Sequence, residues 1–198
     1  MQQRSRDTRK QIIEAAVALF CEAGYEAASV ADICDRAGVS KGAFYHHFPS
    51  KQALFLDVLE DWLGRIDAQL FSPSMIGGDV PASILNMAEM LGFVFREASG
   101  RLPIFMEFMV QASRDQAVWN AAIQPYRRYQ NRFAELIANG QKSGSIKENL
   151  DPHLVARVLV SLAAGILLQA VVDPRAADWE KVTREGIRMI TEKIRRSS

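Results

Sequence analysis

The segment from Ser40 to Phe48, SKGAFYHHF, combines polar, very small and aromatic side chains at helical spacing. Phe44 and Phe48 stand four residues apart, so both can anchor one face of a short helix in a core. The residues left outward are Ser40, Lys41, Gly42, Ala43 and Tyr45. Hydroxyl and ammonium groups can bond phosphates or base edges, and the methyl of an alanine can touch a thymine methyl. These residue types favour recognition of a DNA groove.

Four side chains around this segment could hold phosphate groups, which fix the register of a protein on DNA without specifying sequence. Tyr45 and His46 lie at the far end of the segment. Ser29 and Lys51 stand at predicted helix N-termini, where exposed amides favour an anion. Taken singly, a lysine is more often a solvated surface residue and a tyrosine more often a packing residue. The prediction of DNA contacts therefore rests on the occurrence of these residues together.

Helical periodicity dominates the first 70 residues, and strand signals are scarce. Thr8 with Gln11 resembles a capping box and predicts a first helix over 8–23. A second helix starts after Ser29 and ends at Gly38, and a third, very short helix runs from Ser40 through His47. Pro49 ends the third helix, and Ser50 can cap a long fourth helix. Two short helices joined by a turn with Gly form a helix-turn-helix.

Beyond a Ser-, Pro- and Gly-rich loop at 71–81, five more helices are predicted. They cover about 82–99, 103–113, 117–142, 152–172 and 179–195, and Pro125 is expected to kink or split the longest one. The predicted fold is all-α. It has an N-terminal three-helix helix-turn-helix DNA-binding domain at 1–50 and a larger helical domain at 51–198.

The string from Ser29 to Leu54, SVADICDRAGVSKGAFYHHFPSKQAL, resembles the N-terminal domain of the TetR family of bacterial transcriptional regulators. The matching positions are Gly24-Tyr25, Ile33, Ala37-Gly38-Val39-Ser40, Phe44 to Phe48, Ser50-Lys51 and Leu54. The resemblance is close over 8–60 and elsewhere extends only to the helical layout. It implies a ligand-responsive DNA-binding regulator, most simply a repressor that releases a palindromic double-stranded operator; an activator or an architectural DNA-binding protein of the same fold is the alternative.

The resemblance also implies that 51–198 is a ligand-binding and dimerisation domain, with a small-molecule effector chamber enclosed by the fourth to seventh helices. Apolar walls with a few polar groups are typical of such pockets. The expected lining residues are Trp62, Met90, Phe93, Phe105, Met109, Tyr126 and Gln130. Aromatic and Met residues at helical spacing usually only pack in the hydrophobic core, so core packing is the alternative interpretation for each of these residues. Because this stretch lacks a concentrated charge cluster, an apolar or amphipathic effector is expected.

The eighth helix, LVARVLVSLAAGILLQAVV, is apolar almost all round and must be covered on every side. Its most apolar run, 158–172, is shorter than the roughly 18–20 residues of a membrane span, so a buried helix is expected. With the amphipathic ninth helix it could pair with its symmetry mates, as in the family, giving a homodimer that positions two recognition helices on a palindrome. An intramolecular bundle remains the alternative.

Charge and composition restrict the other classes. The chain has 24 Lys+Arg against 23 Asp+Glu, whereas a nonspecific DNA-coating protein should be broadly basic. Within this neutral chain the start, Arg4 to Lys10, is basic and is either a solvated tail or an arm that reaches phosphate. No apolar segment typical of a signal peptide follows it, so a cytoplasmic protein is expected.

Neither an enzyme nor a metal protein is indicated. The chain lacks HExxH, GxSxG and Gly-rich phosphate-loop motifs, so no catalytic residue and no cofactor are predicted. His46 and His47 point about 100° apart on a helix and cannot both ligate one ion from one face. Cys21 and Cys34 show no CxxC spacing and are expected to be reduced, buried thiols.

Overall fold

The computed structural model describes residues 2–90, 92, 94–95 and 100–196, and this part of the chain is helical. The helices are α1 (Gln2–Ala23), α2 (Val30–Ala37), α3 (Lys41–His47), α4 (Lys51–Leu70), α5 (Val80–Glu89), α6 (Leu102–Ala112), α7 (Gln116–Lys142), α8 (Pro152–Val172) and α9 (Trp179–Ile194). Among the described residues, β pairing is limited to one antiparallel bridge between Ile146 and Arg195. The predicted all-α class is confirmed.

Backbone contacts divide the chain into two compact units. One comprises Met1–Gly64 with Gly100–Ile123, and the other comprises Arg65–Ser99 with Gln124–Ser198. These boundaries differ from the expected division at residue 50, because much of α4, all of α6 and the start of α7 belong to the first unit. The predicted functional division into 1–50 and 51–198 stays a prediction.

The first helix begins earlier than predicted. Thr8 was expected to cap it, but α1 already starts at Gln2. The Thr8 hydroxyl donates to the Arg4 carbonyl at 2.9 Å, so it serves the preceding helical turn and not a free helix end. Arg4 to Lys10 are therefore the first turns of α1 and not a frayed tail.

The predicted signals around α2 and α3 are confirmed. Ser29 and Asp32 form a capping box at the start of α2. Gly38 ends α2 with φ of 65°, a left-handed conformation that suits glycine because it has no Cβ. The side chain of Ser40 then accepts a hydrogen bond from the Ala43 amide and caps α3. The turn between the two helices is thus defined by local hydrogen bonds.

Aromatic packing joins three helices and a loop in the first unit. The buried ring of Tyr25, in the loop after α1, lies 5.4 Å from Phe20, 5.1 Å from Phe55 and 5.2 Å from Phe108, measured between ring centroids. Phe55 of α4 and Phe108 of α6 stack at 4.2 Å. These contacts explain why α6, far along the chain, belongs to the same unit as the helix-turn-helix.

In the second unit, α9 packs against both α5 and α8. Its buried Thr183 and Thr191 donate their hydroxyls to carbonyls one turn earlier, Trp179 at 2.7 Å and Ile187 at 3.0 Å. Since these hydroxyls are bonded within the helix, they can be buried at little cost. In α7, the helix continues through Pro125, so the predicted split is wrong and the alternative, a kink at Pro125, stays a prediction.

Gly140 of α7 is a point of close packing. A Cβ at this position would lie 2.7 Å from Cδ1 of Ile146 and 3.0 Å from Cβ of Val80. Because these neighbours are themselves buried, they have little room to move away.

We expect Gly140→Ala to lower the free energy of unfolding by about 1–3 kcal/mol, the usual cost of overpacking. Gly64→Ala is the matched control, since a Cβ on Gly64 of α4 meets no described atom within 4 Å. That control should gain about 0.5–1 kcal/mol from the better helix propensity of alanine. Urea unfolding monitored by circular dichroism measures both, and equal shifts in the two variants would contradict the packing argument.

Candidate nucleic-acid interface

Helix α3 is anchored by its two phenylalanines, as predicted. Phe44 and Phe48 are buried, and their ring centroids lie 5.9 Å apart. The opposite side of the helix is open to solvent, with Lys41 and Gly42 exposed and Tyr45 55% exposed. Ser40 and His46 are exposed as well, and Ala43 is half-buried. The predicted groove-reading residues therefore share one helix and are accessible, apart from the partial burial of Ala43.

Ser40 and Gly42 each leave part of this face accessible to another molecule. The Ser40 Oγ accepts from the Ala43 amide at 3.1 Å, which leaves its hydroxyl proton available for another acceptor. A Cβ on Gly42 would come no closer than 3.8 Å to another side chain, at Ser40 Oγ. The surface at Gly42 is thus open, and a DNA backbone or base edge could approach the α3 backbone there.

Basic residues of α1 reach the end of α3. The Arg9 guanidinium carbon lies 5.4 Å from the centre of the Phe48 ring, and Arg9 also forms an ion pair with Asp57 of α4. Arg4, Arg6 and Lys10 are exposed in the adjoining turns. The basic start is therefore helical, and Arg9 connects it to Phe48 at the end of α3.

The two histidines differ in their surroundings. Their rings lie 5.2 Å apart, with His46 exposed and His47 half-buried. Burial lowers the pKa of His47, and the neighbouring charges of His46 and Arg9 lower it further. The accessible His46 is therefore the one available to a phosphate. Among the described residues, no cluster of His, Cys, Asp and Glu side chains could hold a metal ion.

The ammonium group of Lys51 is hydrogen-bonded within its own chain. Its Nζ donates to the carbonyls of Tyr25 at 2.9 Å, Glu26 at 3.1 Å and Ala28 at 3.0 Å. An ammonium group has three N–H donors, so these bonds use all of them. Burial lowers the pKa of Lys51, opposed by the charges of Glu26 and Glu107. This lysine therefore holds the loop between α1 and α2 in the DNA-free chain, and its phosphate contact stays a prediction.

Ser29 is also occupied. Its hydroxyl donates to Asp32 Oδ2 at 2.6 Å, and the same oxygen of Ser29 accepts from the Asp32 amide at 3.1 Å. The hydrogen bond from the Ser29 hydroxyl has the larger effect and lowers the pKa of Asp32, and the hydrogen bond from the Ser29 amide lowers it further. The N-terminus of α2 thus carries its own carboxylate, and the phosphate contact of Ser29 stays a prediction.

A small cavity lies within the first unit. Its volume is about 20 Å³, close to the space of one water molecule. The walls come from α1, α4 and the segment leading into α6: Val17, Phe20, Cys21, Phe55, Val58, Leu59, Trp62, Arg101, Ile104 and Phe105. Trp62 is 6% exposed, and its buried Nε1 has no hydrogen-bond partner among the described residues. The cavity is therefore mostly apolar, with one unsatisfied donor on a lining residue.

The predicted effector-binding residues that the structure describes are distributed over both units. Trp62 and Phe105 line the cavity, and Met109 is half-buried in the same unit. Met90, Tyr126 and Gln130 belong to the second unit, and Tyr126 is exposed. Phe93 lies outside the described residues.

Sequence reasoning missed the contribution of α1 to this cavity, although Val17 and Cys21 are four residues apart on one helix face. It also placed Cys21 wrongly. Cys34 is buried as expected, but Cys21 is exposed, with its Sγ 3.8 Å from the Gly100 carbonyl.

Helix α8 leaves an apolar stripe uncovered within the chain. It is the one described helix long and apolar enough to cross a membrane by length and composition, so the expectation that it is too short is corrected. Only 17% of its most apolar window is buried within this single chain, so the chain does not cover the helix by itself, and burial against a second copy stays a prediction. The stripe comprises Leu154, Val158, Ser161, Gly165, Leu168 and Val172. Five of these six are exposed and Gly165 is half-buried, and Val182 and Met189 are exposed on α9.

Two protein-family models match the N-terminal and C-terminal parts of the chain. Residues 12–58 match the model of bacterial regulatory proteins of the tetR family, and residues 90–192 match the C-terminal model of BetI-type transcriptional repressors. The repressor KstR of Mycolicibacterium smegmatis is 36% identical over 156 residues, which are 78% of this chain and 72% of that protein. The repressor DhaR of Mycobacterium sp. is 26% identical over 166 residues, 83% of each chain.

The fold is shared with solved structures. The fatty acid degradation regulator FadR from Bacillus halodurans superposes with a TM-score of 0.75 over 93% of this chain and 94% of that one, at 20% identity. Its likeness supports the fold, while the two family models and the KstR relative establish the lineage. This chain belongs to the TetR family of bacterial transcriptional regulators.

Proposed function

We propose that this protein is a ligand-responsive repressor that binds a palindromic operator as a homodimer, with one α3 in each of two successive major grooves. The exposed face of α3, open at Gly42 and anchored by buried Phe44, is the observation that carries this proposal. The relatives DhaR and KstR are named transcriptional repressors, which favours repression over activation. A DNA partner places the protein in the bacterial cytoplasm, and its relatives are regulators and not enzymes.

The contacts divide into two kinds. Ser40 and Lys41 would read base edges or phosphates from the start of α3, with the Ala43 methyl available to a thymine. Tyr45 and His46 would hold phosphates at the far end of the helix, fixing its register. The exposed arginines at the start of α1, Arg4 and Arg6, would add phosphate contacts beside them.

We expect Gly42→Ala to separate stability from DNA binding. The substitution should raise the free energy of unfolding by about 0.5–1 kcal/mol, because alanine favours a helix. It should also weaken operator binding about tenfold or more, because the methyl group occupies the surface where DNA approaches the backbone. Fluorescence anisotropy at one salt concentration, with a duplex selected by the wild-type protein from a random library, measures the affinity.

Gly64→Ala is the matched control for this test, because it adds the same methyl at another open helical glycine. It should leave operator affinity within twofold of the wild type. If Gly42→Ala binds as tightly as the wild type, close approach at Gly42 is refuted. If the wild-type protein binds the selected and random duplexes equally, specific recognition itself is refuted.

The stripe on α8 supports the homodimer. Its members are spaced alternately by four and three residues, the repeat of a helix that packs along another helix. Ser161 and Gly165 lie at its centre, and a Cβ on Gly165 meets no described atom within 4 Å. A second copy could therefore approach closely at this point, while Leu and Val at both ends supply apolar area. The exposed Val182 and Met189 of α9 would extend the same interface.

We expect Gly165→Leu to give folded monomers. A Cβ at this position meets no described atom within 4 Å, whereas a leucine side chain fills the space needed by the second copy, so helical content should be retained while the dimer dissociates. Analytical ultracentrifugation at micromolar concentration measures the change, with Gly64→Leu as the control at an open glycine outside α8. A wild-type chain that sediments as a monomer, or that floats with lipid vesicles, would contradict this use of the stripe.

The effector is proposed to be an amphipathic molecule with an apolar body and a hydrogen-bond acceptor. The lining of the cavity is apolar, and the unpartnered Trp62 Nε1 would donate to the acceptor. Since the cavity holds little more than one water, a ligand must displace α1, α4 or α6 on entering. Such a ligand necessarily prefers one conformation, which is the requirement for shifting an equilibrium.

We expect effector and operator to weaken each other by the same factor, about 5–150-fold for a typical coupling. The probes are decanoate and decanol, matched in apolar length, titrated calorimetrically into the free protein and into its operator complex. Trp62→Phe should weaken the probe that binds, because it removes the indole donor. Equal probe affinities in the free and operator-bound states would refute the coupling, and failure of both probes to bind would refute this effector class.

A further inference from the structure

The loop between α1 and α2 receives a carboxylate from α6 on its amide side. The Tyr25 amide donates to Glu107 Oε2 at 2.9 Å, and the Glu26 amide donates to Glu107 Oε1 at 2.7 Å. Gly24 allows this approach, since a Cβ there would lie 3.0 Å from Oε2 and its φ is +87°. Both oxygens of one carboxylate are thus bonded to two successive peptide groups.

The same loop receives an ammonium group on its carbonyl side. Lys51, the first residue of α4, donates to the carbonyls of Tyr25, Glu26 and Ala28. Its Nζ also lies 4.6 Å from the centre of the Tyr25 ring. The peptide groups of the loop are therefore aligned between a negative charge on α6 and a positive charge on α4, which strengthens both sets of hydrogen bonds.

Side chains reinforce this arrangement. Gln111, one turn after Glu107 on α6, donates to Glu26 Oε2 at 2.9 Å. The Tyr25 ring is buried against Phe55 and Phe108. Burial, and secondarily the charge of Glu107, raises the pKa of Tyr25 to about 12, so its hydroxyl stays neutral at physiological pH.

The loop and its partner Lys51 lie next to both helices of the helix-turn-helix. Ser29, which caps α2, follows it directly, and Lys51 comes three residues after Phe48, the residue that ends α3. A movement of α6 by about 1 Å would lengthen both Glu107 bonds beyond the range of a good hydrogen bond or pull the loop with it. The placement of α2 and α3 is thus mechanically tied to α6.

We infer that Glu107 and Lys51 form a loop clamp through which α6 sets the geometry of the recognition helix. Glu107 is a positioning residue: it lies outside the exposed face of α3 and acts on operator affinity through the loop. With the clamp closed, the helix-turn-helix is held ready for its operator and binding need not order it. This inference rests on the proposed operator binding and adds the residue by which α6 would control it.

The central test is Glu107→Gln, which keeps the size of the side chain but replaces one acceptor oxygen with a donor group. We expect affinity for the selected operator to fall about tenfold while affinity for a random duplex stays within twofold. The direction is diagnostic, since loss of a negative charge by itself should strengthen binding to DNA. The amides of Tyr25 and Glu26 should lose hydrogen-exchange protection at least tenfold, with the helical circular dichroism unchanged.

A double-variant cycle tests whether the two charges act as one device. Lys51→Met should also weaken operator binding, and Glu107→Gln combined with Lys51→Met should lose little more than either single variant. Independent residues would instead give fold-changes that multiply. Glu89→Gln, which neutralises an exposed carboxylate of α5, is the matched charge control and should leave operator affinity and the loop amides unchanged.

Three results would overturn the clamp. The first is Glu107→Gln with wild-type operator affinity, and the second is retained protection of the two loop amides. The third is an equal loss of affinity for operator and random duplex, which would indicate general destabilisation. A wild-type protein without operator preference would instead refute the proposed function, and the amide measurement would still show whether the carboxylate holds the loop.

Discussion

Burial of the Tyr25 ring is the constraint on which the first unit depends. A loop residue can enter the core only if its backbone groups find partners there, because an unpaired buried amide or carbonyl is costly. Its amide bonds Glu107 and its carbonyl bonds Lys51, so α6 and α4 supply the two partners. The same helices supply Phe108 and Phe55, which contact its ring. Apolar burial and polar satisfaction therefore bring the same helices together.

Helix α3 depends on the rest of the first unit for its stability. A helix as short as Lys41–His47 is unstable alone, since nucleation costs more than a few hydrogen bonds return. Its cap at Ser40 and its buried anchor Phe44 tie it to the unit, and the remaining face is free for contact. Under the proposed function, stability and recognition use opposite sides of one helix, and the small residue Gly42 lies on the outer side.

The second unit leaves a large apolar surface without a partner inside the chain. Its α8 is more apolar than a surface helix should be, and the chain covers little of it. Exposed apolar area of this extent is unfavourable in water and favours burial against another surface. Under the proposed function a second copy covers it, and the operator symmetry then follows from the symmetry of that pairing.

The sequence by itself determined the features that depend on neighbouring residues. The capping serines of α2 and α3, the glycine that ends α2 and the Phe44–Phe48 anchor were all readable, because caps, turns and helical periodicity act within a few positions. The family could be inferred for the same reason, since its motif is one continuous string. The early start of α1 was missed because Thr8 satisfies a capping pattern equally well inside a helix.

Tertiary structure decided what the charged and polar groups actually contact. Tyr25 and Glu107 are separated by 82 positions, and nothing local to either residue indicates their bond. The ammonium group of Lys51 could bind a phosphate, but three loop carbonyls lie within hydrogen-bond distance, so this group bonds the protein itself. The cavity wall from α1 and the uncovered stripe of α8 are likewise set by which helices pack together. Side-chain chemistry defines what a residue can bind, whereas its partner depends on long-range packing that brings distant groups within hydrogen-bond distance.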